Sequence, residues 1–364
     1  MTTIDSRARA ALRELKTYQP GTPIEEVRRK LKLSSVIKLA SNENALGPSP
    51  KALAALRAAV GTLHRYPESA CPILREKLAK RLKVPPESLI FGNGSDELIV
   101  LALRAFVDPG DEVVVAAPTF LIYELQARAC GALVTVVPLR NFRYDLPAMK
   151  QAVTPHTKLI FIANPDNPTG TYATMRELKA FLAGLPPQAI VFMDEAYYEF
   201  VEASDYPQTI PMIRERAMIV TRSFSKAYGL AGLRIGYGIA QPSLIAAMDA
   251  VREPFNVNSL AQAAAAAALD DASFLANTRA MVREGRRYLT TELERLRLRH
   301  VPGVTNFILI ELGPRASEVT KALLARGVIV REMSGWKLNG CLRVTVGTKT
   351  ENQRFIQALK QVLR

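Results

Sequence analysis

Cysteine and histidine are both scarce in this sequence, with three of each among 364 residues. Cys71, Cys130 and Cys341 stand far apart and form no C-x-x-C pair. That spacing argues against a disulfide framework and against a thiolate zinc site. His64, His156 and His300 are scattered, so no histidine-based metal centre is expected. Nowhere does the chain offer the roughly eighteen consecutive apolar residues of a membrane span; the alanine-rich stretch 261–269 is too short. Residues 1–13 alternate charges with alanines and lack the apolar centre of a secretory signal. The expectation is a soluble, reducing-compartment, cytoplasmic protein that carries no metal and meets no membrane.

Several signatures of common chemistry are missing too. There is no G-x-x-x-x-G-K-[ST], no G-x-S-x-G and no H-E-x-x-H. Gly92-Asn93-Gly94 begins like a dinucleotide fingerprint, but Glu97 stands where the third glycine belongs.

What is present is positive charge and ample apolar material. Lys and Arg total 48 against 34 Asp and Glu, a net charge of +14, and 48% of residues are hydrophobic. A large core is affordable on that composition, and the length suits two or three domains. The basic residues are dispersed. Their densest stretch, 283–299, interleaves Glu284, Glu292 and Glu294 with arginines at helical spacing, which reads as a solvated, ion-paired face rather than a nucleic-acid surface. A basic surface also attracts small anions.

From about residue 50, helical and strand-like segments alternate. Helices are predicted over 51–60, 72–82, 95–106 (capped by Ser95 or Asp96) and 120–129. Short apolar strands are predicted over 89–91, 112–116, 133–137, 159–163, 189–193, 218–221 and 234–239. Such runs with helices between them argue for an α/β fold with a mainly parallel sheet covered on both faces. Beyond residue 242 long helices run to 300. Then follow strands at 307–311, 328–331 and 341–346 and helices near 317–326 and 351–363, a smaller α/β unit. The expected division is 1–45 as an N-terminal arm and part of the small domain, 46–255 as the large domain, and 256–364 as the small C-terminal domain.

Four predicted strand-end loops carry the chemistry. Thr221-Arg222-Ser223-Phe224-Ser225-Lys226 runs on to Gly229, Gly232 and Arg234. Hydroxyls and an arginine suit a phosphate, and a lysine among them can form a Schiff base with a carbonyl. Asp194-Glu195-Ala196-Tyr197 follows a strand directly, where a carboxylate points into a ligand crevice. Asn164-Pro165-Asp166-Asn167-Pro168-Thr169-Gly170 makes a rigid loop. Gly92-Asn93-Gly94-Ser95-Asp96 aims a helix N-terminus at one spot, a natural phosphate seat. Each loop alone also reads as an ordinary turn; four in this order are far more specific.

Together they resemble the pyridoxal-phosphate aminotransferases of the aspartate aminotransferase superfamily, fold type I, over nearly the whole chain. Tyr18-Gln19-Pro20-Gly21, Leu39-Ala40-Ser41-Asn42-Glu43-Asn44, Gly47-Pro48-Ser49-Pro50, Arg65-Tyr66-Pro67 and Gly340-Cys341-Leu342-Arg343 are similar to the histidinol-phosphate aminotransferase branch. Ala45 departs from the proline that branch often has after Asn-Glu-Asn.

The resemblance implies pyridoxal 5′-phosphate as cofactor and assigns roles. Lys226 matches the Schiff-base lysine, Asp194 the partner of the pyridinium nitrogen, and Tyr197 and Asn167 the partners of the phenolic oxygen. Phe120 matches the aromatic stacked on the ring, a role that competes with plain core packing. Ser95, Asp96, Ser223, Ser225 and Arg234 would hold the phosphate, and Tyr66 would reach it from a neighbouring subunit, which implies a homodimer with shared active sites. Arg343 matches the main substrate-anion contact, with Arg331 and Tyr18 as further candidates. The implied reaction moves an amino group between L-histidinol phosphate and 2-oxoglutarate in histidine biosynthesis. An aromatic amino-acid aminotransferase, a threonine-phosphate decarboxylase and a non-catalytic protein binding through its basic surface stay open beside it.

Overall fold

The computed structural model describes residues 5, 7–12 and 23–364. Among them the strands, in chain order, are β1 (Ile37–Lys38), β2 (Leu89–Gly92), β3 (Glu112–Ala117), β4 (Leu133–Pro138), β5 (Thr157–Ala163), β6 (Ile190–Asp194), β7 (Met218–Ser223), β8 (Gly236–Ile239), β9 (Arg299–Val301), β10 (Phe307–Glu311), β11 (Val328–Ile329), β12 (Arg331–Glu332) and β13 (Cys341–Thr345). They form sheets of seven, four and two strands.

The seven-stranded sheet runs β2-β8-β7-β6-β5-β3-β4. Its inner strands β3, β5 and β6 are mainly apolar on both faces, because helices cover both. Val191 and Met193 of β6 enter the core on one side, while Ile190 and Phe192 enter the core on the other. Only β8 runs against its neighbours β2 and β7. The remaining strands share one direction, so the loops after β2, β3, β5, β6 and β7 gather at one edge of the sheet. In open parallel sheets that edge is where ligands bind.

Most predicted elements form where their periodicity placed them, including the helices Pro72–Leu82 and Ser95–Phe106. The expected cap of the second helix is corrected. Gly94 occupies the N-cap with no side-chain hydrogen bond, and Ser95 and Asp96 lie inside the first turn. The predicted strand 328–331 divides at Val330, because β11 pairs with β1 whereas β12 pairs with β13. The final helix starts early, at Lys349, where Thr348 and Glu351 form a reciprocal capping box. Helices Ile24–Leu31, Leu146–Gln151 and Met175–Leu182 were not anticipated; the last has its own capping box, Thr174 with Glu177.

The four-stranded sheet, β12-β13-β10-β9, is antiparallel. The N-terminal segment meets it directly, the Leu39 carbonyl accepting from the Thr345 N–H of β13 at 2.8 Å, while β1 lies parallel to β11 and Val27 and Ala40 pack with Ile329. Helix Ser259–Leu269 lies instead against helix Pro50–Ala59, with Ala261, Ala264 and Leu269 in one of the cores of the large sheet. Below the ligand edge, Glu195 accepts from Arg222 Nε at 2.9 Å in a buried ion pair. No helix of the described residues is long and apolar enough to cross a membrane.

Candidate active site

A cleft of about 250 Å³ opens at the shared edge of the large sheet. Asp194, the last residue of β6, stands in its wall and is buried. Its Oδ2 accepts from the Tyr123 hydroxyl at 2.6 Å and its Oδ1 accepts from the Ala196 N–H at 3.1 Å. Burial pushes this carboxyl up to about 6, against the pull of those two donors and of nearby Lys226. At neutral pH it is therefore mainly ionised, as a partner for a cationic nitrogen must be.

Lys226 lines the same cleft just after β7, its Nζ 5.7 Å from the centre of the Tyr197 ring. Desolvation lowers its ammonium to about 8, with the positive charge of Arg343 adding to the effect. A lysine so placed holds a substantial neutral fraction near physiological pH, which a nucleophilic amine requires.

A phosphate seat lies nearby. The first-turn N–H groups of helix Ser95–Phe106 meet no side-chain cap, and Ser95 and Asp96 face the cleft together with Ser223, Ser225 and Arg234. Arg234 sits at φ 56°, and its guanidinium reaches Asp96 Oδ2 at 3.3 Å and the Ala231 carbonyl at 3.3 Å. Glycine is required here by space. A Cβ on Gly94 would stand 2.4 Å from the Arg234 guanidinium, and one on Gly236 would stand 2.6 Å from the Ser95 nitrogen. Bare backbone, N–H groups at a helix start and a guanidinium together fit a phosphate.

Phe120 is half-buried in the wall, edge-on to Tyr123 with ring centres 5.5 Å apart. Tyr197 and Asn167 also face the cleft. The Tyr197 hydroxyl accepts from Asn42 Nδ2 at 2.9 Å. Asn167 Oδ1 accepts from Arg343, whose second terminal nitrogen donates to the Ala40 carbonyl at 3.0 Å. Arg343 thus joins β13 of the small sheet to the loop after β5 of the large one.

Arg331 and Arg343 are direct cross-strand partners. Both guanidinium groups approach Trp336, at 4.7 and 6.0 Å from its ring, and Arg343 also lies 5.2 Å from the Phe307 ring. Two cations paired across strands repel; an anion between them would relieve that, and a guanidinium binds phosphate or carboxylate bidentately.

One predicted residue stands apart. Tyr66 is 83% exposed and stacks on Phe255 at 4.8 Å, outside the cleft of its own chain. Tyr18 lies outside the described residues. Among those residues, no group of three or more His, Cys, Asp and Glu side chains is arranged to hold a metal ion.

Tyr123 and Asn42, buried polar residues that touch the site, have no role assigned from the sequence. Tyr123 follows Phe120 by three positions, the spacing of one helix face, which was the available signal. Asn42 lies in the quoted Asn42-Glu43-Asn44 segment, but nothing local points it toward Tyr197.

Comparison with known proteins gives a consistent result. The family described as aminotransferase class I and II matches residues 34–359. The histidinol-phosphate aminotransferase of Moorella thermoacetica is 48% identical over 359 residues, covering 98% of this chain and 93% of the relative. That of Symbiobacterium thermophilum is 45% identical over 366 residues, covering 98% and 99%. Among solved structures, histidinol-phosphate aminotransferase from Sinorhizobium meliloti in complex with pyridoxal-5′-phosphate superposes with a TM-score of 0.90 at 29% identity, covering 99% of this chain and 98% of the other. An L-threonine-O-3-phosphate decarboxylase from Porphyromonas gingivalis superposes with a TM-score of 0.79 at 26% identity, covering 90% and 99%.

Proposed function

The chain belongs to the class I and II aminotransferases, and from that premise we propose that it moves an amino group between L-histidinol phosphate and 2-oxoglutarate, with pyridoxal phosphate as cofactor. The observation that carries the reading is one cleft holding a lysine of lowered basicity, an ionised aspartate and a phosphate seat. Identity of 48% across 98% of the chain to a histidinol-phosphate aminotransferase supports the substrate.

The residues fit the cofactor. Asp194 would face its ring nitrogen, Tyr197 and Asn167 its phenolic oxygen, and Phe120 its ring. The Ser95–Phe106 helix start, Ser223, Ser225 and Arg234 would hold its phosphate, and Lys226 would carry it covalently. Bound there, pyridoxal phosphate supplies an aldehyde that condenses with amines and a ring that withdraws electrons from the substrate α-carbon. The chain's own contribution is positional and protonic. Asp194 would keep a positive charge on the ring nitrogen, and Lys226 Nζ, as a neutral amine, would take the proton from the substrate α-carbon. Arg343 and Arg331 would hold the substrate's phosphate, or the distal carboxylate of 2-oxoglutarate in the second half of the cycle.

A homodimer follows from the same reading. Tyr66 is exposed in a single chain, and Val60, Leu63, Ile73 and Phe255 around it in sequence or space are exposed as well; such apolar surface belongs at an interface. Tyr66 would then reach the partner's phosphate seat. The division proposed is a cofactor unit at 46–255 and a smaller one formed by 1–45 and 256–364, with helix Ser259–Leu269 packed on the former. Three unpaired cysteines fit a reducing, cytoplasmic setting. With Lys226 and Asp194 both in the cleft, a non-catalytic binding role is set aside.

Steady-state kinetics test the substrate. L-Histidinol phosphate should give a higher kcat/KM than phenylalanine or tyrosine, and threonine phosphate should release no carbon dioxide. A higher kcat/KM for phenylalanine would assign an aromatic amino-acid aminotransferase, and carbon dioxide release a decarboxylase.

A further inference from the structure

Asn42 lies outside every strand-end loop, yet it is 1% exposed and ends up against the cleft. Its backbone has φ 56°, in the left-handed region that Asn and Asp enter more readily than other non-glycine residues. Four contacts surround it. Its N–H donates to Thr345 Oγ1 at 2.9 Å, and its carbonyl accepts from Asn306 Nδ2 at 3.0 Å. Thr345 Oγ1 donates to Asn42 Oδ1 at 3.2 Å, and Asn42 Nδ2 donates to the Tyr197 hydroxyl oxygen at 2.9 Å.

Thr345 and Tyr197 flank the two ends of the Asn42 amide. Thr345 Oγ1 accepts from the Asn42 backbone N–H and donates its hydrogen to the Asn42 amide oxygen. With its oxygen on Thr345, the Asn42 amide presents its NH₂ group to Tyr197. The Tyr197 oxygen therefore receives a hydrogen from Asn42, and its own hydrogen is left to point elsewhere. The Tyr197 side chain lines the cleft beside Lys226.

We propose that Asn42 is a positioning residue that sets the direction of the Tyr197 hydroxyl, so that it donates into the cleft toward the phenolic oxygen of the cofactor. The inference rests on the reading of Tyr197 given above. The charged groups that act on Tyr197 are Arg343, Asp194 and Asp166, and Lys226 stands near its ring. None of them changes when Asn42 is replaced.

The pH midpoint of the bound cofactor's visible band reads this directly, since a donor on the phenolic oxygen favours its anion and lowers the midpoint. Asn42→Asp keeps the backbone conformation but replaces the donor with an acceptor, which draws the Tyr197 hydrogen away from the cleft. The midpoint should rise by about one pH unit, in the direction given by Tyr197→Phe, and should rise much less when Tyr197→Phe is already present. A rise of equal size in both backgrounds would come from the added charge alone and overturns the proposal. Asn42→Gly, which suits the left-handed backbone without a side chain, should give a smaller rise, again lost with Tyr197→Phe. If Tyr197→Phe moves the midpoint while neither Asn42 variant does, the proposal falls and the reading of Tyr197 stands. If Tyr197→Phe leaves the midpoint unchanged, both fall.

Discussion

The Tyr123 hydroxyl donates to Asp194 Oδ2 across 2.6 Å, joining two residues 71 positions apart in sequence. Tyr123 is fully buried and its ring stacks on Phe161 with centres 4.9 Å apart, so the hydroxyl is held in place by packing. The bond supports the ionised carboxylate against its desolvation. Tyr123→Phe keeps the ring and removes the donor. Cofactor affinity should fall by about tenfold or somewhat more, the worth of a hydrogen bond to a charged group, as read by titrating the cofactor-free protein with pyridoxal phosphate. Unchanged affinity would remove Tyr123 from the account.

The covalent capture of cofactor should depend on pH through Lys226. Desolvation and Arg343 lower its ammonium to about 8, opposed by Asp96 and Glu43. Only the neutral amine attacks an aldehyde, so the rate of capture by cofactor-free protein should rise with pH and level off above about 8. Asp194, at about 6, is ionised throughout that rise. The linkage to stability has the same sign. With Lys226 less basic in the folded protein, folding without cofactor gains stability as pH climbs from about 8 toward the ordinary lysine value of 10.5. Stopped-flow absorbance across pH checks the rate.

Arg343 is tied to Asn167 and to the Ala40 carbonyl and shares Trp336 with Arg331. Arg343→Lys retains the charge but loses the planar fork. For L-histidinol phosphate, kcat/KM should drop by roughly 10- to 100-fold, the cost of one or two charge-assisted hydrogen bonds. Cofactor binding should change far less. Steady-state kinetics beside a cofactor titration separate the two effects.

Much of this arrangement was legible in the sequence. Strand runs such as 159–163 and 218–220 are continuous and apolar because both faces of the sheet are buried there, and short polar segments follow them. Local pattern therefore revealed both the sheet and the edge where Asp194, Asn167 and Lys226 meet. The contacts that tune these groups were hidden, because they join distant segments through single side chains. Tyr123 reads as a helix residue until Asp194 is set beside it, and Asn42 meets Tyr197 from 155 positions away. The expected cap at Ser95 failed for another reason. Gly94 takes the N-cap instead, and the first-turn N–H groups are left without a side-chain cap, as the proposed phosphate seat would need.

The proposed homodimer, with its shared active sites, predicts complementation between variants. In the proposed homodimer, Tyr66→Ala would remove the contact made to a partner's site, and Lys226→Ala the lysine of the chain's own site. A mixed dimer of the two rebuilds one site with both native residues. Unfolding and refolding an equimolar mixture should restore activity to about a quarter of the sites, the statistical share in a twofold dimer. No recovery, with dimers present by sedimentation, would place Tyr66 outside the partner's site.

The central claim is that Lys226 moves the proton on a substrate held in this cleft. It is tested most directly by mixing the cofactor-loaded protein with L-histidinol phosphate, with no keto acid present, and following the first turnover by absorbance and product analysis. The native protein should lose its visible cofactor band and release one equivalent of the keto product per site. Lys226→Ala loaded with cofactor should bind the substrate but release product at least about a thousandfold more slowly. Release by Lys226→Ala at the native rate would contradict the account.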